Sequence, residues 1–298
     1  MGPLAKTYLC HDYFHATDKD AFLAEHGSKI RALVMAGGTS LSEPLLNVIP
    51  ALEIISVFGV GYDGVPLPYC KTRGLRLTNT PDVLTEDVAD IAVALILMTS
   101  RKLVQANRFL HNGSWQGGQY ELAWKLGGKK AGIFGLGRIG KAIASRLTAL
   151  GMEIGYHGRT KQQDIDFPYF SSLADLAAWS DFLVLASPGG KDTHHVVNSE
   201  ILHSLGASGT LINISRGSVV DQDALVTALQ SGQIRGAGLD VFENEPHVPP
   251  ILMELSNAVL LPHVGSGTHE TRQAMADLVI GNLAAHFEGR PLLTPVPG

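Results

Sequence analysis

The segment Gly135-Leu136-Gly137-Arg138-Ile139-Gly140 carries glycines at GxGxxG spacing, directly after an apolar run and at the start of a helical pattern. In that context each glycine has a mechanical task. The first makes a tight turn, the second lets backbone approach a pyrophosphate, and the third lets the helix pack closely on the strand. The helix N-terminus then offers unpaired N–H groups and the positive end of its dipole to the phosphates. The reading is dinucleotide binding, by all six residues of the turn. Gly135 and Gly140-Lys141 also have P-loop spacing, but Ala142 stands where a Ser or Thr would hold Mg²⁺, which excludes a nucleoside triphosphatase. About 20 residues on, a carboxylate usually accepts hydrogen bonds from the adenosine ribose. This chain offers His157-Gly158-Arg159-Thr160-Lys161 there instead. Arg159 and Lys161, with Thr160 between them, suit a 2′-phosphate, and the missing carboxylate removes the repulsion that would exclude one. NADP(H) is therefore expected ahead of NAD(H).

Such a turn needs strands and helices to hold it. From residue 129 the two alternate: KKAGIF (129–134), EIGYH (153–157), FLVLAS (182–187), TLINIS (210–215), GAGLDVF (236–242) and AVLLPH (258–263) read as strands. Between them, Ile139, Ala142, Ile143, Leu147 and Leu150 recur at helical spacing up to Gly151, and Ser171 or Ser172, Asn198 and Asp221 are candidate helix caps. Strands separated by helices imply a parallel sheet covered on both faces, the doubly wound Rossmann-type α/β arrangement. The first hundred residues show a weaker series of strands, TYLC (7–10), RALVMA (31–36), EIISVFG (53–59) and LRLTNT (75–80), which predicts a second, smaller α/β lobe. One helix predicted over about 83–111 and another capped by Thr268 and running to Gly289 lie where these series stop. They are the expected connections, so the small lobe is discontinuous: residues 1–98 plus 269–298, against 99–268 for the dinucleotide-binding domain, with a cleft between the two.

Composition agrees with an enzyme of two domains. At 298 residues the chain has room for both, and 45% hydrophobic against 17% charged residues excludes disorder. A net charge of −5 supplies none of the basic excess that nucleic-acid binding requires. Cys10 and Cys70 alone make neither a disulfide framework nor a zinc spacing. The apolar run Ile91–Met98 falls far short of the ~20 residues that span a bilayer. No signal pattern opens the chain, so a cytoplasmic protein is expected, without membrane or nucleic-acid partners. His194-His195 are adjacent rather than at i, i+4 spacing, and no metal is expected. Asn112-Gly113-Ser114 is a glycosylation sequon without secretory context. The 33 glycines exceed the ordinary ~7% and mark many tight turns.

Six blocks carry a family resemblance: FGVGYDGV (58–65), TNTPDVLTEDVAD (78–90), GIFGLGRIG (132–140), NISRGSVVD (213–221), GLDVFENEP (238–246) and LLPHVGS (260–266). In order and spacing they resemble the D-isomer-specific 2-hydroxyacid dehydrogenases over essentially the whole chain. The NADPH-using glyoxylate, hydroxypyruvate and hydroxyphenylpyruvate reductases are the nearest in pattern. The resemblance implies a flavodoxin-like substrate domain beside the Rossmann domain and reduction of a small 2-keto acid to the D-2-hydroxy acid. Arg216 matches the substrate-binding arginine, whose planar guanidinium grips a carboxylate with two bonds. Glu245, the carboxylate preceding Pro246, matches the catalytic acid residue, while Glu243 is expected to face solvent. His263 matches the acid/base histidine. It would give a proton to the developing alkoxide as hydride passes from the nicotinamide to the substrate, with Glu245 orienting the ring and favouring its charged form.

The same resemblance assigns the backbone of Val60 and Gly61 to the substrate carboxylate and Asp240 to the nicotinamide carboxamide. Ser187, Ile214 and Ser266 fall to the cofactor cleft. Gly217 and Gly265 read as bare backbone that lets ligands approach beside Arg216 and His263. Val88 stands where many relatives have a polar Thr, and SWQGGQYELAW (114–124) resembles a dimerisation loop, so a homodimer is expected. Two other outcomes stay open: a protein of this fold that senses cofactor redox state and binds a partner, and a reductase of bulkier aryl-pyruvates or keto-sugar acids. A formate- or phosphite-type dehydrogenase is disfavoured by the Glu–His pair.

Overall fold

Short runs rich in Ile, Val and Leu form the strands, and polar caps start the helices between them. The computed structural model describes residues 4–297, and the chain divides into two units at Val83/Leu84 and Thr268/His269. In the first unit β1 (Ala32–Ala36), β2 (Ile54–Phe58) and β3 (Arg76–Thr78) pair in parallel in that order. Central β2 shows the two-residue period of a strand buried on both faces. Ile55 and Val57 enter a core with Leu46, Ile49 and Cys70, while Ile54 meets Val279 and Leu283 of the helix His269–Phe287. The strand expected over 7–10 does not form. Tyr8 is engaged by the Phe287 ring, with centroids 5.6 Å apart, and Leu9 is 88% exposed, so the segment has no sheet to join.

In the second unit β4 (Lys130–Phe134), β5 (Glu153–His157), β6 (Phe182–Leu185), β7 (Thr210–Asn213), β8 (Gly236–Leu239) and β9 (Ala258–Leu260) form one parallel sheet among the described residues. Its order is β5-β4-β6-β7-β8-β9. The chain leaves β4 to one side for β5 and returns past it for β6, so the strand order reverses between β4 and β6. In doubly wound sheets that switch point is where ligands bind, outside the carboxyl ends of the strands. Every residue of β6, β7 and β8 is buried, as central parallel strands must be. The expected caps act: Ser172 accepts from Ala174 and Asp175 N–H, Asn198 from Glu200 and Ile201, and Asp221 from Ala224.

The helix expected over 83–111 is two helices, Thr85–Arg101 and Leu103–His111. Lys102 separates them in a left-handed conformation, φ +51°, its N–H still bonded to Met98 O. Its side chain is held in place by the Glu121 carboxylate at 2.6 Å and the Trp124 ring at 5.2 Å. The first of these helices counts with the second unit rather than the first. Its apolar face, Ala89, Ala92, Leu95 and Ile96, is buried, and Gly238 of β8 admits Leu95 so closely that an added Cβ would lie 3.0 Å from it. Arg146 of the helix Arg138–Ala149 also pairs with Glu86 and Asp90. Among the described residues no helix is long and apolar enough to cross a membrane.

Candidate active site

At the carboxyl end of β4 the backbone turns at Gly135, φ +97°, a conformation that a side chain resists. There is no room for one either, since a Cβ on Gly135 would lie 2.6 Å from Ser187 N, past the end of β6. The helix Arg138–Ala149 then starts at Gly137 without any side-chain cap, and the space beside Gly137 is open. Gly137 thus brings no side chain to the first N–H groups of this helix, and the Ser187 hydroxyl is buried without a partner. A helix start whose cap residue is glycine, an open approach and an orphaned hydroxyl at the switch point fit a dinucleotide phosphate group. Leu136 and Ile214 are buried, Arg138 is exposed, and Ile139 and Ser266 are half-buried. Arg159, Thr160 and Lys161 are exposed on the loop after β5. Gln162, next in the chain, ties that loop down: its side-chain amide donates to Leu136 O at 2.7 Å and its N–H to the Tyr156 hydroxyl at 2.8 Å.

The ends of β7, β8 and β9 bring Arg216, Glu245 and His263 together. His263 Nδ1 lies 2.6 Å from Glu245 Oε2, and Phe242 N–H donates to the other carboxylate oxygen at 2.9 Å. Burial alone would push the Glu245 carboxyl up, but these bonds and the charges of His263 and Arg216 outweigh it and hold the group below the ordinary carboxylate range. Arg216 donates to Ser215 O, while Asn213 Nδ2 holds the Arg216 carbonyl at 2.9 Å. The site so assembled can bind an anion at a guanidinium and pass a proton through an imidazole whose other nitrogen is fixed by a carboxylate.

Asp240 supports the histidine in a way the sequence did not disclose. It is 1% exposed, and its two oxygens accept from Val264 and Gly265 N–H, each at 2.8 Å. Burial raises its pKa in spite of these bonds and of the His263 charge. The bonds clamp the chain just beyond His263, which sits at φ +52° in the left-handed region. That conformation is uncommon outside glycine and persists when the surroundings dictate it. Two expected features read differently in the structure. Glu243 does not simply face solvent, because its carboxylate is 2.7 Å from His195 Nε2. Gly217 and Gly265 do not leave bare faces: a Cβ on Gly217 would run into the Phe242 backbone, and one on Gly265 would meet Asp240 Oδ2 at 3.1 Å and Val88 at 3.3 Å. Val60 and Gly61 belong to the first unit, just past β2, where Asn79 Nδ2 donates to Val60 O.

Because the Glu245 carboxyl is held low, the unfolded chain takes up more protons than the folded one as pH falls through the ordinary Glu range near 4.3. Its contribution to stability is complete above that range and is lost on acidification. The stability difference between the wild type and Glu245→Gln should therefore shrink between pH 6 and pH 4 in urea unfolding. A difference that does not change with pH would show that the carboxylate is not held ionised.

Residues 93–265 match the family described as D-isomer specific 2-hydroxyacid dehydrogenase, NAD binding domain. The chain is 49% identical over 293 residues to glyoxylate/hydroxypyruvate reductase A of Arabidopsis thaliana, covering 98% of this chain and 94% of that one. It is 48% identical, with the same coverage, to hydroxyphenylpyruvate reductase of Plectranthus scutellarioides. Among solved structures, an NADPH-dependent glyoxylate/hydroxypyruvate reductase from Sinorhizobium meliloti in complex with NADP and malonate superposes with a TM-score of 0.88 at 47% identity, over 96% of this chain and 87% of that one.

Proposed function

The chain belongs to the D-isomer-specific 2-hydroxyacid dehydrogenases, and from that membership we propose that it reduces a small 2-keto acid, of the glyoxylate or hydroxypyruvate kind, to the D-2-hydroxy acid. The observation that carries the reading is the His263–Glu245 pair at 2.6 Å, with the Arg216 charge acting on the same carboxylate. When bound, a reduced nicotinamide supplies the hydride that adds to the keto carbon. Arg216 takes the substrate carboxylate through two parallel N–H groups, which fixes the keto group in register. His263 gives its Nε2 proton to the carbonyl oxygen as negative charge develops there. Glu245 accepts from Nδ1–H, so the free edge of the ring is Nε2. Asp240 keeps the loop of His263 in place while the proton leaves.

The cofactor we assign by preference is NADP(H). Arg159, Thr160 and Lys161 lie exposed after β5 on a loop that Gln162 ties to the glycine-rich turn. The similar Sinorhizobium meliloti reductase carries NADP. Hydrogen bonds to charged groups contribute about 1.5–3 kcal/mol, so Arg159→Ala should raise the KM for NADPH roughly tenfold to hundredfold and leave that for NADH almost unchanged. Equal losses with both would remove the clamp. A second copy of this chain is the partner we assign, because Leu110, Trp115 and Leu122 expose apolar surface, 92% in the case of Leu122. A monomer mass by light scattering would withdraw that assignment. The whole reading is tested by absorbance at the nicotinamide band with a panel of 2-keto acids and both cofactors. Turnover of glyoxylate or hydroxypyruvate is expected, and a preference for aryl-pyruvates or keto-sugar acids would change the substrate only. Binding of NADPH without oxidation on any acid would replace the enzyme with a redox-sensing protein of the same fold.

A further inference from the structure

A second group of ligating side chains converges outside the pair assigned to proton transfer. His194 and His195 close the loop that follows β6, and Glu243 lies on the loop that follows β8. Adjacent histidines are not at the i, i+4 spacing at which one helix face presents both to an ion, and neighbouring side chains of an extended chain point to opposite sides. His195 departs from that rule, because its φ is +52°. The left-handed turn swings its ring alongside that of His194, with centroids 3.9 Å apart and planes 27° from parallel. The turn is pinned on both sides: His195 N–H donates to Ser218 O at 2.8 Å, and Val197 N–H to Val219 O at 3.0 Å. Glu243 Oε1 is 2.7 Å from His195 Nε2, and one ligand atom from each of His194, His195 and Glu243 lies within 4.8 Å of the other two.

We propose that His194, His195 and Glu243 form a binding site for a divalent transition ion of the Zn²⁺ type, with water completing the tetrahedron. Zinc bonds to imidazole nitrogen and carboxylate oxygen are about 2.0–2.2 Å, so tetrahedral donors stand about 3.4 Å apart. Small rotations of the three side chains reach that spacing, since His195 Nε2 and Glu243 Oε1 stand 2.7 Å apart and no pair of the ligand atoms is more than 4.8 Å apart. Two imidazoles and one carboxylate are a donor set for zinc or its neighbours, whereas Mg²⁺ and Ca²⁺ take oxygen shells. The left-handed backbone at His195 is the element on which the site turns, with the consecutive rings stacked 3.9 Å apart beside it. The site does not depend on the hydride-transfer reading. It shares a loop with the site of that reading, however, since Phe242, next to Glu243, donates its N–H to Glu245. An ion held there ties the loop after β6 to the loop after β8, and binding to the folded state alone raises the unfolding temperature.

The experiment uses the full chain without an affinity tag, stripped with a chelator and titrated with Zn²⁺ by calorimetry and with Co²⁺ by visible absorption. One equivalent is expected, with a tetrahedral Co²⁺ band and an unfolding temperature several degrees higher at saturating Zn²⁺. His195→Asn removes the imidazole from a position where Asn tolerates the backbone, and Glu243→Gln removes the carboxylate. Each should weaken Zn²⁺ at least tenfold and abolish the temperature shift. A second close histidine pair, His11 and His26 with centroids 4.0 Å apart, is removed by His26→Ala, which should change nothing. Absence of uptake in the wild type, or uptake that survives both His195→Asn and Glu243→Gln, would overturn the proposal.

Discussion

With His263 replaced by Asn, reduction of the 2-keto acid should slow by roughly 10²–10⁴-fold in kcat, the usual contribution of a positioned general acid. Asparagine is the informative replacement because the position is left-handed, φ +52°, and Asn tolerates that region better than Ala or Leu. The loop should keep its place, since Val264 and Gly265 remain bonded to the buried Asp240 carboxylate. Cofactor affinity, read from quenching of intrinsic fluorescence by NADPH, should then stay within a few-fold of the wild type. The KM for the keto acid should move little, because Arg216, assigned above to the substrate carboxylate, is untouched. A kcat within tenfold of the wild type would place the proton donor elsewhere and reduce the Glu245 pair to a structural contact.

What the sequence discloses and what it hides divide along a physical line. The glycine-rich turn could be read because its demands are local: strand, tight turn and helix start lie within a dozen residues, and each glycine answers to its own neighbours. The caps at Ser172, Asn198 and Asp221 could be read for the same reason, each bonding two or three residues on. Arg216, Glu245 and His263 could be nominated, and Glu245 paired with His263, only through the family resemblance, because three strand ends far apart in the chain must meet before the pair exists. Left-handed backbone was readable at a glycine such as Gly151, which ends its helix at φ +76°, but not at residues of other types. Lys102, His195 and His263 take φ values of +51°, +52° and +52° under tertiary constraint, and no residue type there announces it. One of these broke a helix expected to be continuous, and another set two adjacent imidazoles side by side. The absent strand over 7–10 shows the same limit, since a β-prone run forms a strand only where a sheet edge receives it.

Gly217→Ala and Gly137→Ala should behave as opposites, although the two glycines look alike in the sequence. A Cβ on Gly217 would lie 1.9 Å from the carbonyl carbon of Phe242 and 2.3 Å from Glu243 N, both backbone atoms that no side-chain rotation can clear. Overpacking usually costs about 1–3 kcal/mol and sometimes more. Because backbone must move here, a loss of about 3 kcal/mol is expected, which lowers Tm by roughly 6–12 °C at 2–4 °C per kcal/mol. The displaced segment is the one whose Phe242 N–H and Glu245 carboxylate fix His263, so kcat should fall with stability. Gly137 has nothing within 4 Å of its missing Cβ and a φ of −78° that alanine adopts freely. Its replacement should leave Tm unchanged within about 1 °C, because it neither strains the backbone nor overpacks. The added methyl instead occupies the approach that a pyrophosphate needs at the helix N-terminus, so the Kd for NADPH should rise at least tenfold while the fold stays intact. Calorimetric unfolding and cofactor titration of both variants decide the matter. If Gly217→Ala unfolds like the wild type, the loop after β8 does not rest on the backbone at Gly217. If Gly137→Ala binds NADPH normally, the open face of the glycine-rich turn is not where the phosphates lie.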